Sequence, residues 1–321
     1  MVKRNIRRVK TTVFTFALLA FIFNSPAPLY APWIWTPENG WMNEKDVVKE
    51  SPKAQWEYAQ NFKNKGEYNN AVHAYQALVK AYPTSPLAPQ AEMAAAKCYQ
   101  EEGMYYEAFQ RYQKLLENYP RDINLEEILK EEYEIGTAFI RGKRRTLLHL
   151  PILPAVDKGI EILQTVVKNA PYSEISPQAQ FDLGTIYKKQ GKYTEAIEAY
   201  TKFTEDYKGH KLYEEALYQI GWCNYKKSRG FSYDQLAAKE AEKYFKKFGD
   251  EFPKSEHSEK INSLVNELSN RQAKGTLEIA SYYASNNHKE AAIMYYKEVI
   301  KMAPESIEAK EAEKQLKKLE Q

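Results

Sequence analysis

Five histidines and two cysteines are the side chains of this chain best suited to chemistry, and their spacing argues against it. Metal sites draw His and Cys from short fixed spacings or from an HExxH helix. His73, His149, His210, His257 and His288 form no such group with one another or with Cys98 and Cys223. No glycine-rich phosphate loop is present; the glycines sit at turns or at tight helix crossings. Acidic residues stand beside lysines on helical stretches, as in E-A-K-E-A-E-K from Glu308, which reads as a solvated helix face. The reading assigns no catalytic, cofactor-binding or metal-binding residue. It predicts a protein that is not an enzyme, needs no cofactor and offers surface.

The elements that must carry that surface follow from a repeat. A small residue is followed four positions later by a ring or large aliphatic, then eight further on usually by proline. The copies are Ala71, Tyr75, Pro83; Ala108, Tyr112, Pro120; Gly159, Leu163, Pro171; Ala196, Tyr200, Lys208; Ala241, Phe245, Pro253; and Ala292, Tyr296, Pro304. Upstream lies a second small-and-aromatic pair: Ala59 with Phe62, Ala96 with Tyr99, Gly136 with Phe139, Gly184 with Tyr187, and Ala280 with Tyr283. The fifth copy departs, with Gly221 followed by Asn224 and Tyr225. Gly66, Gly103, Gly191 and Asn287 mark the turns between halves.

Small residues let two helices approach closely, rings fill the gap to the next pair, and proline ends the second helix. One helix pair cannot bury its apolar face alone, so neighbours must stack. This is the tetratricopeptide (TPR) pattern. The predicted fold is all-α, a right-handed TPR solenoid of about six helix-turn-helix pairs. The pairs fall at about 52–85, 89–122, 126–173 with an insertion at 141–154, 177–210, 213–254 and 256–306, followed by a C-terminal helix. The sixth pair's first helix is unusually long, and an extension near Ser228 to Leu236 lengthens the fifth pair's turn. Cys98 and Cys223 hold one register three pairs apart, too far for a disulfide, so two free thiols are expected.

Residues 1–31 differ from the rest. Lys3, Arg4, Arg7, Arg8 and Lys10 precede an apolar run from Val13 to Phe23 and a Pro-containing stretch from Ser25 to Ala31, the order of an export signal. Cleavage after Ala27 or Ala31 would leave a proline next in line; an uncleaved inner-membrane anchor is the alternative. Without those five cations the balance is 41 against 43, which gives no electrostatic case for nucleic acid. No cysteine follows the apolar run closely enough to take a lipid. Residues 32–51 form a Trp- and Pro-containing extended segment with Trp33, Trp35 and Trp41, suited to wrapping the first pair or resting at a membrane interface.

In a TPR stack the first helix of each pair lines a groove for partners. The register puts Trp56, Gln60, Lys63 and Asn64 there in the first pair, Met93, Lys97 and Gln100 in the second, and Phe181, Thr185 and Lys188 in the fourth. Rings and a thioether beside lysines and amides suit an extended peptide. The insertion, with Arg144, Arg145, Leu147, Leu148 and Leu150, suits a peripheral membrane or partner contact, or folds back on its own pair.

Longer runs resemble one branch of these proteins. Y-E-E-A-L-Y-Q-I-G-W from Tyr213, A-E-K-Y-F-K-K-F-G-D-E-F-P-K-S-E-H from Ala241 and I-A-S-Y-Y-A-S-N-N-H-K-E-A-A-I-M-Y-Y-K-E-V-I-K-M-A-P from Ile279 resemble the BamD family of outer-membrane β-barrel assembly factors. W-E-Y-A at Trp56 and G-E-Y-N-N-A-V from Gly66 are similar to that family's opening repeat. The resemblance spans roughly residues 50 to 318. It implies a periplasmic scaffold at the outer membrane, with client segments received by N-terminal repeats and the barrel-forming partner docked by C-terminal ones. Two departures stand out: the family's proteins are lipoproteins, and they usually carry five repeats. The alternative is an envelope TPR adaptor coordinating cell-wall synthesis or division with the outer membrane.

Overall fold

Short helices joined by tight turns follow from the small-and-ring spacing, and a computed structural model of the chain shows thirteen among the residues it describes. Those residues are 33–36, 40–43, 48–142, 144–147, 150–229 and 235–320. Residues 1–31, whose order of charges and apolar residues suggests an export signal, lie outside them.

The chain divides into two compact units, residues 1–102 and 103–321. The first holds α1 (Pro52–Asn64), α2 (Tyr68–Ala81) and α3 (Leu87–Glu101). Ser51 starts α1: its Oγ accepts the Ala54 amide at 3.2 Å and proline opens the first turn. Gly66, at φ +75°, ends it in a left-handed turn, where the Glu67 amide reaches back to the Phe62 carbonyl at 2.9 Å. Ala59, Ala71 and Tyr75 are fully buried, as the repeat spacing requires. Gln55, buried beneath α2, donates Nε2 to the Ala74 carbonyl at 2.8 Å and accepts the Lys49 amide.

The second unit holds α4 (Tyr105–Asn118), α5 (Leu125–Ile140), α6 (Val156–Asn169), α7 (Ser176–Lys189), α8 (Tyr193–Asp206), α9 (Tyr213–Ser228), α10 (Gln235–Glu251), α11 (Ser258–Ser285), α12 (Lys289–Met302) and α13 (Ile307–Glu320). Its pairs close on glycine. A Cβ on Gly159 would meet the Gly136 carbonyl at 2.6 Å, and one on Gly221 would meet the Phe245 ring at 2.6 Å. The turn device recurs at Gly191 (φ +73°) and at Asn287 (φ +62°), with Lys192 and His288 amides returning to Tyr187 and Tyr283. The Gln55 device recurs too: Gln180 Nε2 donates to the Ala199 carbonyl at 2.8 Å.

Helix α11 has 28 residues, about 42 Å at 1.5 Å per residue, and serves two cores. Ile261 and Leu268 pack with Leu217, Phe245 and Phe248 of α9 and α10. Ala273 and Ala280 pack with Ala292, Tyr296, Val299 and Ala312 of α12 and α13.

Two short hairpins add to the helical architecture. β1 (Trp33–Thr36) pairs antiparallel with β2 (Gly40–Asn43), and β3 (Arg144–Leu147) with β4 (Leu150–Pro154). Runs of Trp, Ile, Thr and Leu interrupted by proline pair as strands more readily than they wind. Within 141–154 the pairing sets Arg145 opposite Leu153 and Leu147 opposite Leu150, with a register shift between Arg145 and Thr146.

Candidate functional site

A repeat helix buries one face on its partner and leaves another for contact, so a site here is a helix face rather than a cleft. In the first unit, Trp56, Gln60 and Lys63 are half-buried on α1 and Asn64 is exposed; Met93, Lys97 and Gln100 are half-buried on α3. The Trp56 indole tilts over Tyr75 with centroids 5.3 Å apart. Across the helices, Gln76 Nε2 donates to the Tyr99 hydroxyl at 3.2 Å. The same bond joins Gln164 and Tyr187 in the second unit, so it belongs to the repeat and not to a ligand.

On α7 the three predicted groove residues separate by role. Phe181 sets its ring edge-on to Tyr200 and Phe203, at 5.3 and 5.7 Å. Thr185 Oγ1 shares a 2.9 Å hydrogen bond with the Tyr200 hydroxyl. Both side chains are tied into the pair's own packing. Lys188 instead reaches the next pair: its Nζ donates to Gln219 Oε1 of α9 at 2.9 Å. Burial pulls the Lys188 pKa below the usual lysine value.

That bond begins a polar chain. Gln219 Nε2 donates to Glu215 Oε1 at 2.5 Å, and Glu215 Oε2 lies 2.9 Å from His257 Nε2. The His257 ring stacks flat on Tyr218, with centroids 4.2 Å apart and planes 4° apart. Beside the chain sits Trp222, half-buried against the core of α8 and α9. Lys188 and Lys226 hold their ammonium groups 5.5 and 5.0 Å from its ring centroid.

Sequence reasoning missed Trp222, although it follows Gly221 as Gln60, Lys97 and Thr185 follow their own small residues. The fifth copy lacks the aromatic three positions after its small residue, which hid the register.

Of the insertion residues, Arg144, Arg145, Leu147 and Leu150 lie on paired strands, while Leu148 lies outside the described residues. Cys98 and Cys223 are both buried and unpaired. Burial pushes their thiols up to about 11 and about 12. Among the described residues no group of three or more His, Cys, Asp or Glu is placed to hold a metal, and no helix is long and apolar enough to cross a membrane.

Two family models match the sequence. YfiO, described as outer membrane lipoprotein, matches residues 155–320, and a tetratricopeptide-repeat model matches residues 59–123. No curated protein matches. Among solved structures, a TPR protein (BF2334) from Bacteroides fragilis is 14% identical over 84% of this chain and 100% of its own, with TM-score 0.40. A tetratricopeptide repeat protein from Parabacteroides merdae is 16% identical over 85% and 100%, at 0.33. MamA protein is 23% identical over 64% and 94%, also at 0.33.

Proposed function

We propose a scaffolding role in outer-membrane protein assembly for this chain, which belongs to the YfiO family. In this reading it is a non-catalytic periplasmic protein resembling BamD, exported by its N-terminal segment and acting in the insertion of β-barrel proteins. Six helix pairs make the scaffold, the third carrying the 141–154 insertion. First helices receive polypeptide: Trp56, Gln60, Lys63, Asn64, Met93, Lys97 and Gln100 on one unit, Lys188 on the other. The observation that carries the reading is the family match over residues 155–320, which coincides with helices α6 to α13. Those helices pack many of their rings within and between pairs and leave the half-buried Trp222 beside Lys188 on first helices, aromatic area with a cation that suits polypeptide contact.

Affinity purification of the tagged full chain from its native envelope tests this. The expected result is recovery of barrel-assembly components with outer-membrane clients. Recovery of none, or of peptidoglycan enzymes in their place, contradicts it.

A further inference from the structure

Helices α7, α9 and α11 each bring a lysine to the aromatic rings of α9. Lys188 from α7 and Lys226, one turn beyond Trp222 on α9, flank the same indole. Tyr193 turns its ring edge toward that indole with centroids 6.1 Å apart. From α11, Lys260 places its ammonium 5.4 Å from the Tyr218 ring centroid. The carboxylate of the polar chain, Glu215, is already engaged: one oxygen by Gln219, the other by His257. Lys188, Lys226 and Lys260 therefore stand beside the half-buried Trp222 and the neighbouring Tyr218, with Glu215 held by hydrogen bonds among them.

We infer that this face binds an acidic, extended peptide segment of a partner protein, whose side-chain carboxylates bridge Lys188 and Lys226 beside Trp222. The inference rests on the scaffold reading and names the chemistry of what is held. Lys188 carries three donor hydrogens, and Gln219 uses one. Its side chain is half-buried with the ammonium beside the Trp222 ring, so a carboxylate there restores what burial removes. Gln219, itself buried, acts as a positioning residue by fixing Lys188 against α9. Trp222 supplies the apolar area that an extended chain covers between its acidic side chains. Three lysines are too few and too close together to follow a nucleic-acid backbone, whose affinity grows with each phosphate neutralised.

The test uses the full chain and fluorescein-labelled, C-terminally amidated peptides in fluorescence anisotropy. One peptide alternates Asp or Glu with Leu; the second replaces the acids by Asn and Gln; the third replaces them by Lys. Only the acidic peptide is expected to bind, with affinity falling as salt rises. Lys188→Gln, Lys226→Gln and Trp222→Ala should each weaken it tenfold or more. Lys226→Gln guards against misfolding as the cause, because circular dichroism and Tm should stay unchanged in that variant. Equal binding of all three peptides, or unaltered binding by both lysine variants, overturns the site. Removing the terminal amide should change little; binding that appears only with a free terminus also overturns it. Repeating the envelope purification with the double lysine variant separates the two ideas. Unchanged recovery of barrel-assembly components leaves the scaffold standing and removes this site. Recovery of none by either protein, with peptide binding intact, removes the assembly role alone.

Discussion

Burial of Glu132 makes the stability of the second unit depend on pH. Its side chain is fully buried on α5, Oε1 accepts from Gln113 Nε2 at 2.5 Å, and Oε2 has no hydrogen-bond partner. Desolvation pushes its pKa from 4.5 to about 7, against a smaller opposing effect of the Gln113 bond. Between those values the folded chain keeps a proton that the unfolded chain has released. Stability therefore falls as pH rises through the window and levels off above about 7. The full loss is about 3 kcal/mol at 1.36 kcal/mol per unit. Glu132→Gln should thus stabilise the protein by up to that amount at pH 8 and far less at pH 5, read by urea denaturation at both. An equal effect at the two pH values contradicts the burial argument. The cysteines make a second expectation. With both thiols buried and raised, iodoacetamide at pH 8 should label Cys98 and Cys223 only after denaturation. Rapid labelling of the native chain would show that one of them opens.

At the scale of elements, the glycines in helix crossings carry the sharpest prediction. A Cβ at Gly184 would lie 2.7 Å from the fully buried Tyr200 ring. Gly184→Ala should cost about 1–3 kcal/mol through overpacking, despite alanine's better helix propensity. Gly66→Ala meets no atom within 4 Å, yet its φ of +75° strains any side chain. It should cost about 1 kcal/mol for a different reason, the left-handed backbone. Calorimetry that found Gly184→Ala neutral would contradict the close approach.

These elements were legible because packing of one helix on another leaves a fixed-period imprint. Ala59 with Ala71 and Gly184 with Tyr200 sit where the spacing put them, and Gly66, Gly191 and Asn287 take the turn conformation that their types suggest. The two hairpins were not legible as strands. Four-residue runs such as Trp33–Thr36 are too short for a period to distinguish strand from irregular chain. Glu132 was legible in register but not in consequence. It sits four residues before Gly136, as Gln55 sits before Ala59 and Gln180 before Gly184. An amide there donates to a carbonyl of the facing helix, whereas an ionised carboxylate has nothing to donate. The site was half legible for a similar reason. Register gives the face on which Phe181, Thr185 and Lys188 stand, but which of them is spent on packing depends on the neighbouring helix. Trp222 stayed hidden because the fifth copy's register is obscured, and only the fold brings Lys188 of α7 to its ring.

For the whole molecule, the repeated pairs spend many of their rings on packing, as in the cluster of Tyr200 and Phe203 with Phe181, Tyr193 and Trp222, and the proposed function uses the helix faces that this packing leaves. In the proposed function, polypeptide partners in the envelope contact the first helices of pairs in the second unit. Photo-crosslinking inside the native host addresses it directly, with a benzophenone amino acid placed at Trp222 and, as control, at Tyr172, which is 94% exposed between α6 and α7. An adduct with a barrel-assembly component is expected from position 222 and none from position 172. Adducts of equal yield from both positions, or none from position 222, would contradict it.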